Sequence, residues 1–350
     1  MPTQAFGWGV ESPDDEIHAL RFERRDPRPD DVTIAISHCG ICHSDLHFAH
    51  DDWGMSNYPM VPGHEIVGTV TAVGPEVTTF AVGDRVGVGC MVDSCLQCEY
   101  CTGGQEQFCV EGPTFTYGVP DRNGELTQGG YSDHLLVREE FVCRIPDGLD
   151  MAKAAPLLCA GITTYSPLKR WGVRKGTKVA VVGLGGLGHM AVKIALAMGA
   201  EVKVVTTSPE KAEAARAMGA SDVVVSTDPE AMEAAAASFD LVIDTVPVTH
   251  DIDPYVTLLR PNGTMVVVGA LEPLPGVSGF NLIFGNRAVA GSAIGGVAET
   301  QEMLDFCAEH GIVPEIELIK GEDIASAWST LEQGDIAHRF VIDVAGSRSG

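Results

Sequence analysis

Positive charge is what this chain most lacks. Only 23 Lys and Arg stand against 48 Asp and Glu, a formal net charge of -25 at pH 7. No Lys/Arg-rich stripe is present to pair with phosphates, so a nucleic-acid partner is not expected; the charge says little about a substrate. Long apolar runs are missing too. None reaches the ~18 residues that suggest a membrane span, and the N-terminus has no basic region followed by an apolar run. Neither a membrane partner nor a secretory signal is therefore expected. The ten cysteines then point to a reducing, cytoplasmic setting, with metal or free thiols instead of a disulfide scaffold. The rest is ordinary for a globular protein: 45% hydrophobic and 20% charged residues, in 350 residues that suffice for two domains.

Four cysteines fall within fifteen residues. Cys95, Cys98, Cys101 and Cys109 follow C-x2-C-x2-C-x7-C spacing, which suits one tetrahedral zinc with no open coordination position. Two disulfides or an iron–sulfur centre are the alternatives, and the intracellular character of the chain favours structural zinc. Chemistry must come from elsewhere. Residues 38–47, HCGICHSDLH, and PGHE at 62–65 are rich in groups that bind metals or move protons. Cys42, His64 and a third soft ligand could form a zinc site with an open fourth position. Cys159 is the best-placed third ligand, at the join to the second half of the chain; on spacing alone it could equally be a buried, inert thiol. Cys90, Cys143 and Cys307 sit in apolar surroundings and read as core.

Up to about residue 145 the pattern is mostly β, with strands at 32–36, 66–73 and 132–137 separated by turn residues. Residues 151–170 read as helical but broken at Gly161 and Pro167. Strands at 179–182, 202–206, 222–225, 240–244 and 264–268 then alternate with helices at 189–198, 209–218 and 229–237. That alternation specifies a parallel sheet with crossover helices. Helices at 301–310 and 323–333 and a strand at 339–344 break the alternation and suggest a return to the first domain.

Gly183, Gly185 and Gly188 follow an apolar strand and open a helix, the context in which G-x-G-x-x-G binds a dinucleotide. The first permits the turn, the second lets the pyrophosphate approach, and the third lets helix and strand pack closely. Gly186 and Leu187 complete the helix N-terminus that faces the phosphates. At the end of the second strand, TTSPEK at 206–211 stands where an NAD site would place an acid. Thr207, Ser208 and Lys211, the last one turn into the next helix, suit a 2′-phosphate. NADP(H) is favoured over NAD.

Together CGICHSDLH (39–47), YPMVPGHEIVG (58–68), the four-cysteine lobe, TQGGYSDH (127–134), PLLCAG (156–161) and GLGGLGH (183–189) carry a resemblance. The chain resembles the zinc-containing medium-chain alcohol dehydrogenases, especially the NADP-dependent cinnamyl alcohol dehydrogenase-like branch. The resemblance implies an α/β protein. A mostly-β GroES-like catalytic domain would span 1–155, with the structural-zinc lobe at 90–112. A Rossmann domain with a doubly wound parallel sheet would bind NADP over 156–295, and 296–350 would return to the catalytic domain.

It also implies two zinc ions per chain. Cys42, His64 and Cys159 would hold the catalytic one, with Glu65 a nearby carboxylate able to approach it; Cys95, Cys98, Cys101 and Cys109 would hold the structural one. Ser44 would hand the substrate proton outward, through a ribose hydroxyl, to His47. Asp45 would orient His64, and His43 falls where the family often places a basic residue near the pyrophosphate. Trp53 and Phe115 would wall an apolar pocket for aromatic or medium aliphatic substrates. The implied activity is a zinc-dependent alcohol dehydrogenase or aldehyde reductase of broad specificity, homodimeric through sheet edges near 285–300. A polyol dehydrogenase would need a more polar pocket and usually an acidic NAD selector. A non-catalytic redox sensor would need no Ser44–His47 relay.

Overall fold

The computed structural model describes residues 3–269, 272–334 and 338–347; the outermost residues of the expected first and last segments lie outside these. The chain divides into two compact units, Met1–Cys159 with Gly295–Gly350, and Ala160–Ile294.

In the first unit, seven strands form one sheet around Asp31–Gly40. That strand pairs antiparallel with Ile66–Val73 along one edge, and with His134–Arg138 and then Arg339–Asp343 along the other. Its alternation explains its place: Val32, Ile34 and Ile36 point inward and are buried, while Thr33 and Ala35 are only half-buried. Each such aliphatic side chain contributes roughly 1.5–3 kcal/mol on burial. The late strand Arg339–Asp343 thus closes a sheet begun roughly 300 residues earlier in sequence.

The second unit carries a six-stranded parallel sheet in the spatial order Asp222–Val225, Glu201–Thr206, Lys178–Val182, Phe239–Asp244, Leu259–Val267, Ala288–Gly291. Val179 to Val182 are all buried, as a central parallel strand requires. The first strand lies inside the sheet and its successors run outward on both sides. The strand order therefore reverses between Lys178–Val182 and Phe239–Asp244, the kind of point at which such sheets bind ligands beyond their carboxyl ends.

Two local expectations are corrected. Gly161 and Pro167 do not break a helix: Ala160–Arg170 is continuous. Ala160 through Leu168 are all buried, and that packing outweighs the roughly 3 kcal/mol cost of an interior proline. The interruption falls instead at Cys159, whose φ of -126 and ψ of -68 separate this helix from the turn Ala155–Leu158. Likewise the helix after the glycine turn begins at Gly186, not at His189. No helix among the described residues is long and apolar enough to cross a membrane.

Candidate active site

Cys42 ends a tight segment and opens the helix His43–Ala49. The Asp45 carboxylate, one turn in, accepts from the Cys42 backbone N–H at 2.8 Å and so fixes where the thiol stands. His64 arrives on a different segment. The preceding Gly63 has φ +107, and a Cβ there would lie 2.6 Å from Tyr131 and 2.8 Å from Cys39 Sγ, so only glycine fits. Cys159 comes from the non-helical break just described. One donor atom from each of Cys42, His64, Glu65 and Cys159 lies within 4.8 Å of every other.

The chemistry of this set fits a zinc ion. His64 Nε2 is buried and has no hydrogen-bond partner, the state of a ring nitrogen reserved as a ligand. Its other nitrogen, Nδ1, lies 3.1 Å from Asp45 Oδ1 and 3.0 Å from Tyr117 Oη. Asp45 is completely buried, yet well supplied: Gly63 N–H donates at 3.1 Å and Tyr131 Oη at 2.9 Å. Burial, with the Asp45 charge added, pushes both phenols well up, so they remain donors. The nearby Cys159 and His64 hold Cys42 well below the usual thiol range, and the neighbouring Cys42 and Cys90, with burial, push Cys159 well up. Glu65 is only half engaged elsewhere. One carboxylate oxygen pairs with Arg339 from the late strand, and the other, Oε2, is buried without a partner. Burial pushes the Glu65 carboxyl up to about 8 against the pull of that guanidinium.

One reading from sequence is overturned here. Cys90 is not core filler: it is only half-buried, and the nearby Cys159 and His64 hold its thiol below the usual range. Cys143 and Cys307 are buried.

Ser44 Oγ lies 3.8 Å from Cys42 Sγ. His47, one turn further along the helix, is half-buried and its Nδ1 meets Asp52 Oδ2 at 2.7 Å. The Trp53 ring lies 5.1 Å from that of His47 and 5.2 Å edge-on to Phe48. Phe48 in turn contacts Phe115 at 6.1 Å and Tyr117 at 5.2 Å, and Tyr117 stacks on His64. Trp53 and Phe115 are therefore joined to the metal-ligand cluster by one aromatic chain. His43 Nε2 is engaged by the Leu331 carbonyl at 3.2 Å, which leaves only Nδ1 to offer a phosphate. Tyr117 and Arg339 carry no signal in the local sequence and meet the site only through the fold; Tyr131 lies in the TQGGYSDH stretch and Asp52 close after His47, but neither stretch marks them as supports.

The four-cysteine lobe also fits zinc. Its Sγ atoms all lie within 4.8 Å of one another. Individual separations of 3.5 Å (Cys98–Cys101) and 3.8 Å (Cys95–Cys101) approach the roughly 3.8 Å edge of a tetrahedron with 2.3 Å zinc–sulfur bonds. Backbone N–H groups already point at the sulfurs, from Cys95 to Cys109 and from Cys98 to Cys95, each at 3.4 Å. The N–H groups of Cys101 and Val110 hold Cys98 at about 6, whereas burial pushes Cys101 up to about 12.

In the second unit, Gly183 has φ +88, and a Cβ on Gly188 would lie 2.2 Å from the Gly183 carbonyl. Gly185 faces open space instead, with nothing within 4 Å of its Cβ position, and no side chain caps the helix Gly186–Ala197 that it begins. Uncapped N–H groups beside open space fit a pyrophosphate. Thr207 is exposed and Ser208 half-buried at the end of the neighbouring strand, with the Ser208 N–H bonded to Thr206 Oγ1 at 3.2 Å. Lys211 is the first residue of the helix Lys211–Ala217, not one turn into it. Pro209 and Glu210 extend the loop and delay the helix start.

Comparison with known proteins agrees with this geometry. Residues 28–147 match the alcohol dehydrogenase GroES-like domain, and residues 186–309 match the zinc-binding dehydrogenase domain. A probable formaldehyde dehydrogenase, AdhA, of Bacillus subtilis is 54% identical over 324 residues, 93% of each chain. A cinnamyl alcohol dehydrogenase of Sorghum bicolor superposes with a TM-score of 0.96 at 46% identity, over 99% of both chains. The corresponding enzyme of Helicobacter pylori, solved with NADP(H), gives 0.93 at 45% identity, over 99% of this chain and all of that one. With this identity along nearly its whole length, the chain belongs to the zinc-binding medium-chain alcohol dehydrogenase family of oxidoreductases.

Proposed function

We propose that the chain interconverts primary alcohols and aldehydes, of broad aromatic and aliphatic range, with NADP(H) as hydride partner. One observation carries this reading: Cys42, His64 and Cys159 meet around a buried His64 Nε2 that has no other partner. A zinc held by these three would supply Lewis-acid polarisation of the reacting C–O bond, and hydride exchange is the nicotinamide's own chemistry.

The chain's residues do the rest. Asp45 and Tyr117 fix the His64 ring from behind. Ser44 takes the substrate hydroxyl proton, and His47, oriented by Asp52, passes it outward. Trp53, Phe48 and Phe115 exclude water and favour apolar substrates. Gly183, Gly185, Gly186, Leu187 and Gly188 receive the pyrophosphate, while Thr207, Ser208 and Lys211 select the 2′-phosphate. Cys95, Cys98, Cys101 and Cys109 hold a second, structural zinc.

Two thiolate-rich clusters require a reducing compartment, and we place the protein in the cytoplasm. Its partner is a second copy of itself. The strand Ala288–Gly291 is an open sheet edge, and nearby Phe280, Ile283 and Phe284 are 67%, 77% and 76% exposed. Purified, zinc-loaded protein should oxidise NADPH in the presence of an aromatic aldehyde. No turnover with either aromatic or aliphatic aldehydes would overturn the reading.

A further inference from the structure

At the reversal point of the parallel sheet, the loop that leaves the strand Phe239–Asp244 is closed by a pair between buried Asp244 and half-buried His250. His250 Nδ1 lies 2.7 Å from the Val248 carbonyl, and His250 Nε2 lies 3.0 Å from Asp244 Oδ2. A carbonyl oxygen only accepts, so Nδ1 carries a proton. An unprotonated Nε2 would then face an ionised oxygen, two bare lone pairs inside the protein. Neither atom has a hydrogen-bond partner to relieve that opposition. Asp244 is fully buried, and burial pushes its carboxyl up. One additional proton, on either atom, turns the opposition into an attraction.

The same loop holds the glycine turn. Thr245, next to Asp244, donates its hydroxyl to the Val182 carbonyl at 2.8 Å, and its backbone N–H donates to the same oxygen at 3.0 Å. Its Oγ1 would lie only 2.9 Å from a Cβ on Gly183. Asp244 Oδ1 meanwhile accepts from the Val246 N–H at 3.2 Å. A change in the pair is thus felt within two residues at the wall of the nucleotide crevice.

We propose that Asp244 and His250 are positioning residues that hold one shared proton and tie NADP(H) affinity to it, the nucleotide binding more tightly to the protonated pair. The inference rests on the NADP(H) reading above. Two effects have the same sign. Losing the proton leaves the pair with a net negative charge near an anionic cofactor, and it removes the attraction that closes the loop. The surrounding charges do not neutralise this. Glu272 accepts from Thr249 at 2.7 Å, Asp253 accepts from Ser278 and Asn281, and Asp251 follows His250 in the chain. Tyr255 is a further titratable neighbour, its ring 6.0 Å from that of His250.

Equilibrium titrations with NADPH and with NADH, followed by nicotinamide fluorescence between pH 7 and 9.5, test this. In that range the nucleotide's phosphates no longer change charge appreciably. The wild-type Kd for the preferred nucleotide should rise about tenfold as pH rises. His250→Gln, whose amide donates to Asp244 without titrating, should stay flat within about twofold. Asp244→Asn should be flat as well, and a thermal melt of each variant reports its folding. A pH-independent wild-type Kd, or an equal slope in both variants, overturns the proposal. A preference for NADH would overturn the NADP reading alone, since the NADH slope then reports on the pair.

Discussion

His47 Nδ1 and Asp52 Oδ2 stand 2.7 Å apart, joining the helix that Cys42 opens to the loop that carries Trp53. An ionised carboxylate only accepts, so this contact puts the ring proton on Nδ1 and leaves Nε2 as the acceptor that the proposed relay requires. Asp52→Asn lets the opposite tautomer form and should slow alcohol oxidation by roughly 10- to 100-fold. His47→Ala should slow it at least as much, with zinc content and cofactor affinity unchanged. Single-turnover measurements across pH separate relay from packing: an unchanged pH–rate profile for hydride transfer in His47→Ala removes His47 from the relay.

Metal content distinguishes the two clusters. Wild-type protein should contain two zinc ions per chain. Cys42→Ser should lose one of them and nearly all turnover while the melting temperature changes little. Cys98→Ser should also lose one, but its main effect should be a lower melting temperature, because that closed site ties together a loop whose Tyr100, Phe108 and Val110 are exposed and add little core. Elemental analysis of all three proteins decides it, and a single zinc in the wild type would remove the two-site assignment.

How much of this was legible in the chain follows from sequence separation. Cys95, Cys98, Cys101 and Cys109 are close enough that spacing alone specifies their cluster. The glycine turn is equally local, since Gly183, Gly185 and Gly188 act through neighbouring backbone. Cys42, His64 and Cys159 are farther apart, and motif resemblance had to supply the set. Of the supports of that site, only Asp45 was read from the sequence. Arg339 reaches Glu65 across 274 residues, and Tyr131 reaches Asp45 across 86, because strand pairing brings them there. Cys90 looked apolar by its neighbours in sequence, although its neighbours in space include Cys159. Pro167 failed as a helix breaker for the same reason: propensity is local, and burial on both sides of the residue is not.

Buried thiols predict alkaline behaviour. Burial pushes Cys143 and Cys307 each up to about 12, above the roughly 8.5 of an exposed thiol. The folded chain keeps these protons where the unfolded chain releases them. Their stabilising contribution is therefore full below about pH 8.5 and is lost as pH rises toward 12, by about 1.4 kcal/mol per pH unit for each thiol. Cys307→Ala should be less stable at pH 8, because it leaves a small cavity beside Met303. Between pH 9 and 10.5 its urea midpoint should nevertheless fall less steeply than that of the wild type. Parallel midpoint curves would mean that Cys307 ionises as easily in the folded chain as in the unfolded one.

In the proposed function, cofactor selection falls to Thr207, Ser208 and Lys211. The strand Glu201–Thr206 ends without a carboxylate, and Thr207 and Ser208 follow at its tip. An acid at that tip would accept from the ribose hydroxyls of NAD and repel a 2′-phosphate, whereas hydroxyls accommodate the phosphate. Lys211 opens the next helix directly after this loop, nearer the strand end than a residue one turn further along would be. A charge-assisted contact of about 1.5–3 kcal/mol corresponds to roughly 10- to 100-fold in affinity. Glu210, the residue before it, is exposed and would offset part of that gain if it turned toward the phosphate. The measurement is kcat/KM for NADPH and NADH with one aldehyde, in wild type and in Lys211→Ala. The wild type should favour NADPH, and the substitution should lower that preference about 10-fold or more by weakening NADPH use while leaving NADH use nearly unchanged. Equal use of both cofactors by the wild type would refute NADP selection. An unchanged ratio in the variant would leave Thr207, Ser208 and the backbone as the selector, with Lys211 outside the site.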